Sequence, residues 1–147
     1  MDSYMEKNNN QITITPATGK SKDDFNEMVQ SSSWAWDEAD PKTSKFPPKV
    51  GQLFGFYFPP KKGVRAGHII IHRVTNILGS EYRNPSWSTN VGQGDRKVLA
   101  LTQPLRRIEF LEWDQLGGLK KKQGTYTSNL NDNTPRKKKL KEALKDI

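Results

Sequence analysis

No stretch of this chain constrains its fold more than Leu53-Phe54-Gly55-Phe56-Tyr57-Phe58. An uncharged, aromatic run of this length suits a strand buried on both faces. Pro59-Pro60 ends it, because proline has no N–H to give a ladder. A basic loop follows, Lys61 to Gly67, and then His68-Ile69-Ile70-Ile71-His72-Arg73-Val74, a β-branched run that Thr75 to Gly79 carries to the next turn. A seven-residue loop between two such runs favours an antiparallel pair. The pair is read as the wall of a small barrel, with the rest of the chain as its lining.

At 147 residues the chain suits one domain with a real core. It has no cysteine, which excludes disulfides and thiolate metal sites. No apolar run approaches the ~20 residues of a membrane span, and residues 1–11 lack the apolar centre of a secretory signal. The expectation is a soluble, intracellular protein, cytoplasmic or nuclear, with no membrane partner. Net charge is +8, and its placement is uneven. From Leu119 onward there are nine Lys/Arg against three Asp/Glu, leaving 15 against 13 for residues 1–118. A near-neutral domain with a cationic tail suggests a polyanion partner, the tail raising the encounter rate. A tail that only solubilises the chain accounts for the same pattern.

Residues 1–10 carry no pattern and are expected to be flexible. Ile12-Thr13-Ile14-Thr15 alternates as a first strand. Ser21 and Asp24 form an approximate capping box for a helix burying Phe25, Met28 and Val29, which Ser31-Ser32-Ser33 ends. Trp34 and Trp36 follow in extended chain and point the same way. Serines precede them and an acidic loop follows. Such surroundings favour contact aromatics over a core pair. The loop Gly79 to Asp95 is long and carries Tyr82, Arg83, Asn84 and Trp87, groups that stack and hydrogen-bond together. Lys97 to Thr102 and Arg107 to Leu111 are further strands, and Trp113 to Gly118 closes the domain. Residues 119–147 read as a separate basic tail, in which Pro135, Leu140 and Leu144 permit a short helix. Its basic cluster could equally be a nuclear localisation signal.

A strand, the pair Lys20-Ser21, an acidic-capped helix and then Trp34 make an order that resembles the opening of the YTH domain and its EVE relatives in the PUA-like group. Val50 to Ile77 is similar to that fold's central strands, and Trp87 sits where a second cage tryptophan is expected. The resemblance spans roughly residues 11–118. It implies an α+β fold, a small PUA-like twisted β-barrel with one or two flanking helices and a basic C-terminal tail. It also implies a modified-base reader without cofactor or metal. Base-binding residues would be Lys20, Ser21, Trp34, Ala35, Tyr82, Asn84 and Trp87, with Trp34 and Trp87 facing each other across a pocket and Trp36 inward or on its rim. Lys61, Lys62, Arg65, Arg83, Lys120, Lys121, Lys122, Arg136, Lys137, Lys138 and Lys139 are the candidate phosphate contacts. Aromatic faces around a methylated amine gain dispersion that a bare amine uses poorly. Reaching such a pocket needs a single strand or a flipped base, so single-stranded RNA is favoured over DNA as partner.

Catalytic patterns are weak. His68 and His72 share a strand face but lie ~13 Å apart, too far for one ion. No G-x-S-x-G elbow or phosphate-binding glycine loop occurs. The chain is therefore expected not to be an enzyme. The competing reading is a protein-interaction module that grips its partner with the Trp/Tyr loops and uses the tail for localisation, since aromatics and arginine are also interface hot spots.

Overall fold

The structure, a computed structural model, describes residues 7–16, 28–30, 32–36, 48–60, 66–78, 97–116, 126–131 and 134–147. Seven strands are found among them: β1 (Asn8–Pro16), β2 (Ser33–Trp36), β3 (Gln52–Phe58), β4 (Gly67–Leu78), β5 (Lys97–Leu101), β6 (Arg106–Leu111) and β7 (Tyr126–Asn129). Single 3-10 turns cover Trp113–Leu116 and Pro135–Lys137, residues 28–30 are helical, and a short helix, α1, covers Lys138–Ala143. The chain is a sheet-rich α+β protein.

β3 and β4 are the antiparallel pair that the apolar runs predict, with Phe54 opposite His72, Phe56 opposite Ile70 and Phe58 opposite His68. Strand order is β2-β5-β4-β3-β1-β7, with β6 also on β4. β4 is long enough, at 12 residues, to serve two partners along one edge. Its first part, Gly67 to Ile71, pairs with β6, and its second, from Val74 to Leu78, pairs with β5 across an irregularity at Val74/Asn76. On the other side β1 runs parallel to β3, which demands a long crossover; residues 17–51 supply it. β2 and β7 end the path, and no pairing joins them among the described residues, so the sheet is not closed there. The closed barrel expected from the sequence is not met in these strands.

Every residue of β3 is buried, as an unbroken apolar run should be. Its even face (Phe54, Phe56, Phe58) joins Met28, Trp34, Ile70, Val74, Leu99 and Leu101 in one apolar cluster. Leu53 and Tyr57, from the odd face, join Ile12, Ile14, Ile69, Ile71, Ile108, Leu111, Leu116, Leu130, Leu140 and Leu144 in a second. The sheet is thus a septum with a core on each side. Met28–Gln30 are helical, with Met28 buried in the first cluster and Val29 packed on it, as the helix spacing predicts.

Two boundaries drawn from the sequence need correction. Residues 8–10 belong to β1: the Asn8 N–H donates to the Gly51 carbonyl at 2.9 Å, and the Asn10 carbonyl accepts from Leu130 at 2.7 Å. The C-terminal segment is not a separate tail. β7 pairs antiparallel with β1, Ile12 opposite Ser128, and Leu140 of α1 and its C-cap Leu144 are buried in the second cluster. Two such leucines stabilise by about 1.5–3 kcal/mol each, which a six-residue helix lacks in isolation. Composition concealed this, because a helix that covers a core with one face can be cationic on the rest.

Candidate nucleic-acid interface

The segment that resembles a cage begins where the helical turn stops. Ser32 takes a left-handed backbone (φ 52°), its N–H closing on the Val29 carbonyl at 3.2 Å, while its own carbonyl accepts from Leu101 at 2.8 Å. That reversal launches β2, which pairs with β5, Trp34 opposite Leu99. The Trp34 ring lands on Phe54, centroids 5.0 Å apart and tilted 46°. Phe54 meets Phe56 at 5.1 Å, and Phe56 meets His72 edge-on at 5.4 Å. Trp34 retains 5% of its exposure. The expectation that it is a partly exposed wall is therefore corrected: it is a core residue. Polar neighbours in sequence misled, because burial was set across the sheet by Phe54.

His72 closes this aromatic row. Its Nδ1–H donates to the Thr102 carbonyl at 2.9 Å, which leaves Nε2 as a buried acceptor with no partner among the described residues. Burial pushes the imidazole pKa down, and the Thr102 contact offsets part of that. His68 stacks on Phe58 at 4.9 Å and 18°. Next to His72, Arg73 is fully buried; its Nη1 donates to the Gly51 carbonyl at 2.8 Å, and Nη2 has no partner among the described residues. Gly51 has φ 92°, open to glycine and costly for other residues, and its N–H donates to the Val74 carbonyl. Arg73 thus ties the turn before β3 to β4. Nothing in the sequence separated this arginine from an exposed one.

Cations gather instead around α1. Lys138, Lys141 and Lys145 fall at i, i+3 and i+7 and line a groove of about 440 Å³ with Thr134, Pro135 and one carboxylate, Glu142. A second groove of about 490 Å³ shares Lys138 and Glu142 and adds Arg136 and Lys139 against Glu112 and Asp114. Its mixed sign makes it a poor anion site, so the lysine row is the more strongly cationic of the two.

Phe110 is the residue that sequence reasoning missed. Gly67 pairs with Leu111 and His68 with Glu109, so Phe110 is an extra residue in β6, a bulge. It adopts φ 60° and is 74% exposed. Lys139 from α1 holds it there, its Nζ donating to the carbonyls of Glu109 and Phe110 at 2.8 Å each and lying 5.7 Å from the ring centroid. One residue further on, Tyr57 donates its hydroxyl to the Leu111 carbonyl at 2.7 Å. Burial pushes the Tyr57 pKa up to about 12, partly offset by a hydrogen bond from the Gly67 backbone. Gly67 is needed for close approach, since a Cβ there would stand 2.1 Å from the Phe58 carbonyl oxygen. One signal was available. Ile108 and Leu111 are both buried, a spacing of three that a regular strand cannot put on one face.

Of the phosphate candidates, Arg136 and Lys138 are exposed. Lys137 is corrected: it is buried, its Nζ donating to the Asn129 carbonyl. Lys139 is part-buried and engaged at the bulge. Ala35 lies in β2 opposite Val98. Lys20, Ser21, Lys61, Lys62, Arg65, Tyr82, Arg83, Asn84, Trp87, Lys120, Lys121 and Lys122 lie outside the described residues, as do the side chains of Ala35 and Trp36. Among the described residues, no three His, Cys, Asp or Glu side chains are grouped to hold a metal, and no helix is long and apolar enough to cross a membrane. No protein-family model matches the chain, and no curated protein or solved structure matches it either.

Proposed function

We propose that the chain is a non-catalytic nucleic-acid-binding domain of the YTH/EVE, PUA-like kind, with a single strand bearing a modified, methylated base as its target. The carrying observation is the lysine row at α1. Lys138 and Lys141 of α1, with Lys145 just past its end, line one groove with a single carboxylate, in a segment anchored by Leu140 and Leu144. Charges on a docked helix keep fixed spacing and lose less freedom on binding than charges on a loose tail. The barrel reading draws support from β4, which passes from one partner strand to another through an irregularity, as strands do at the corners of packed sheets. Base reading rests on the resemblance of Lys20-Ser21, the acidic-capped helix and the loop tryptophan Trp87 to YTH/EVE readers, since the aromatic row of Trp34, Phe54, Phe56 and His72 is buried.

Fluorescence anisotropy with single-stranded 12-mers, RNA and DNA, each with one methylated or unmodified base, tests this. Binding should weaken steeply with salt. Lys138→Gln, Lys141→Gln and Lys145→Gln together should flatten the dependence of log K on log salt by roughly 0.7 per lost phosphate contact. Any preference for the methylated base should survive that change. Absence of binding to every oligonucleotide at low salt refutes the proposal.

A further inference from the structure

We infer that Phe110 is a stacking platform for an unpaired nucleobase, held out of the fold for that purpose; the inference rests on the nucleic-acid reading above. Three observations converge on it. First, a phenylalanine that is 74% exposed stands where Ile108 and Leu111, its neighbours on the strand, are buried. Its backbone, at φ 60°, is one that non-glycine residues rarely adopt and that persists only where surrounding structure enforces it. Glycine or asparagine would meet the turn with less strain, so the ring is not there for the turn's sake.

Second, the strained backbone is built. Lys139 donates to the carbonyls on both sides of the bend, at 2.8 Å each, and Tyr57 secures the Leu111 carbonyl that follows. The ring is thereby presented with its orientation limited before any ligand arrives, which lowers the entropy lost on binding.

Third, the setting selects the partner. Lys139 lies 5.7 Å from the ring centroid and adjoins Lys138, the first lysine of the cationic row. Glu109 is the nearby carboxylate on β6, and Arg107 engages it at 2.8 Å, which partly neutralises it. An exposed aromatic face with a cation at hand, on a surface that carries further lysines, is the pairing that single-stranded nucleic acids use, the bases stacking while phosphates follow the charge. A duplex offers no open base face and would use the lysines alone.

Substitution at Phe110 tests this without endangering the fold, since the side chain is exposed. Binding of a fluorescein-labelled single-stranded RNA 12-mer should weaken roughly 5- to 150-fold in Phe110→Ala, the range of one base–aromatic stack. Phe110→Trp should retain binding, and a blunt duplex of the same length should bind both forms equally. Phe110→Gly should bind as weakly as the alanine variant while its Tm rises by a few degrees, because the strained backbone is relieved. Equal binding by wild type and Phe110→Ala overturns the inference and leaves the nucleic-acid reading standing. Full binding by Phe110→Leu also overturns it, because an apolar knob for a protein partner would then suffice. Failure of the wild-type protein to bind any oligonucleotide overturns both.

Discussion

Replacing Trp34 with alanine separates a core tryptophan from a cage wall. In the structure the ring is 5% exposed, rests on Phe54 at 5.0 Å and shares a cluster with Met28, Phe56 and Leu99. A buried tryptophan removes about 150–250 Å² from water, which at about 25 cal/mol per Å² gives an upper figure of about 4–6 kcal/mol. β2 is short and pairs only with β5 among the described strands, so its backbone can partly settle into the space. We therefore expect a loss of about 4 kcal/mol, within the usual range for large-to-small core changes. Set against a total of about 10 kcal/mol for a domain of this size, the variant folds but is weakened severely. Urea unfolding followed by far-UV circular dichroism reads this, as a fall of about 2 M in the midpoint at an m-value near 2 kcal/mol per M. Trp34→Phe should recover more than half of the loss. A midpoint shift under about 0.5 M refutes the packing argument; if oligonucleotide binding were lost at the same time, Trp34 would be the exposed wall of the original expectation.

Leu140→Ala and Leu144→Ala should each cost about 2–5 kcal/mol, and deletion of residues 119–147 should give an aggregating protein in place of a shortened, folded one, measured by light scattering and circular dichroism. Acid should destabilise the protein from about pH 6.5 downward. The folded His72 has its pKa lowered by burial, so the unfolded chain takes up the proton first and stability falls as pH drops toward the folded value, by up to about 1.4 kcal/mol per pH unit. His72→Phe should flatten that slope in urea titrations across pH 5–8, and an unchanged slope would assign it to other groups.

Much of the frame was legible in the sequence because it depends on neighbours in the chain. The apolar run of β3, its proline stop and the β-branched run of β4 specify an antiparallel pair whatever surrounds them, and every residue of β3 is buried. Leu140 and Leu144, four apart after Pro135, likewise marked one face of a short helix. What lies across space was not legible. The parallel pairing of β1 with β3, the sharing of β4 between β5 and β6, and the docking of α1 depend on contacts between residues far apart in sequence. So does the fate of single side chains. Trp34, among serines, went into the core because Phe54 meets it across the sheet, whereas Phe110, beside a leucine, was turned out by a bulge that Lys139 and Tyr57 hold through its carbonyls and the next. Local pattern determines which segments can be strands or helices; burial is decided by which surfaces meet, and only the tertiary structure brings those together.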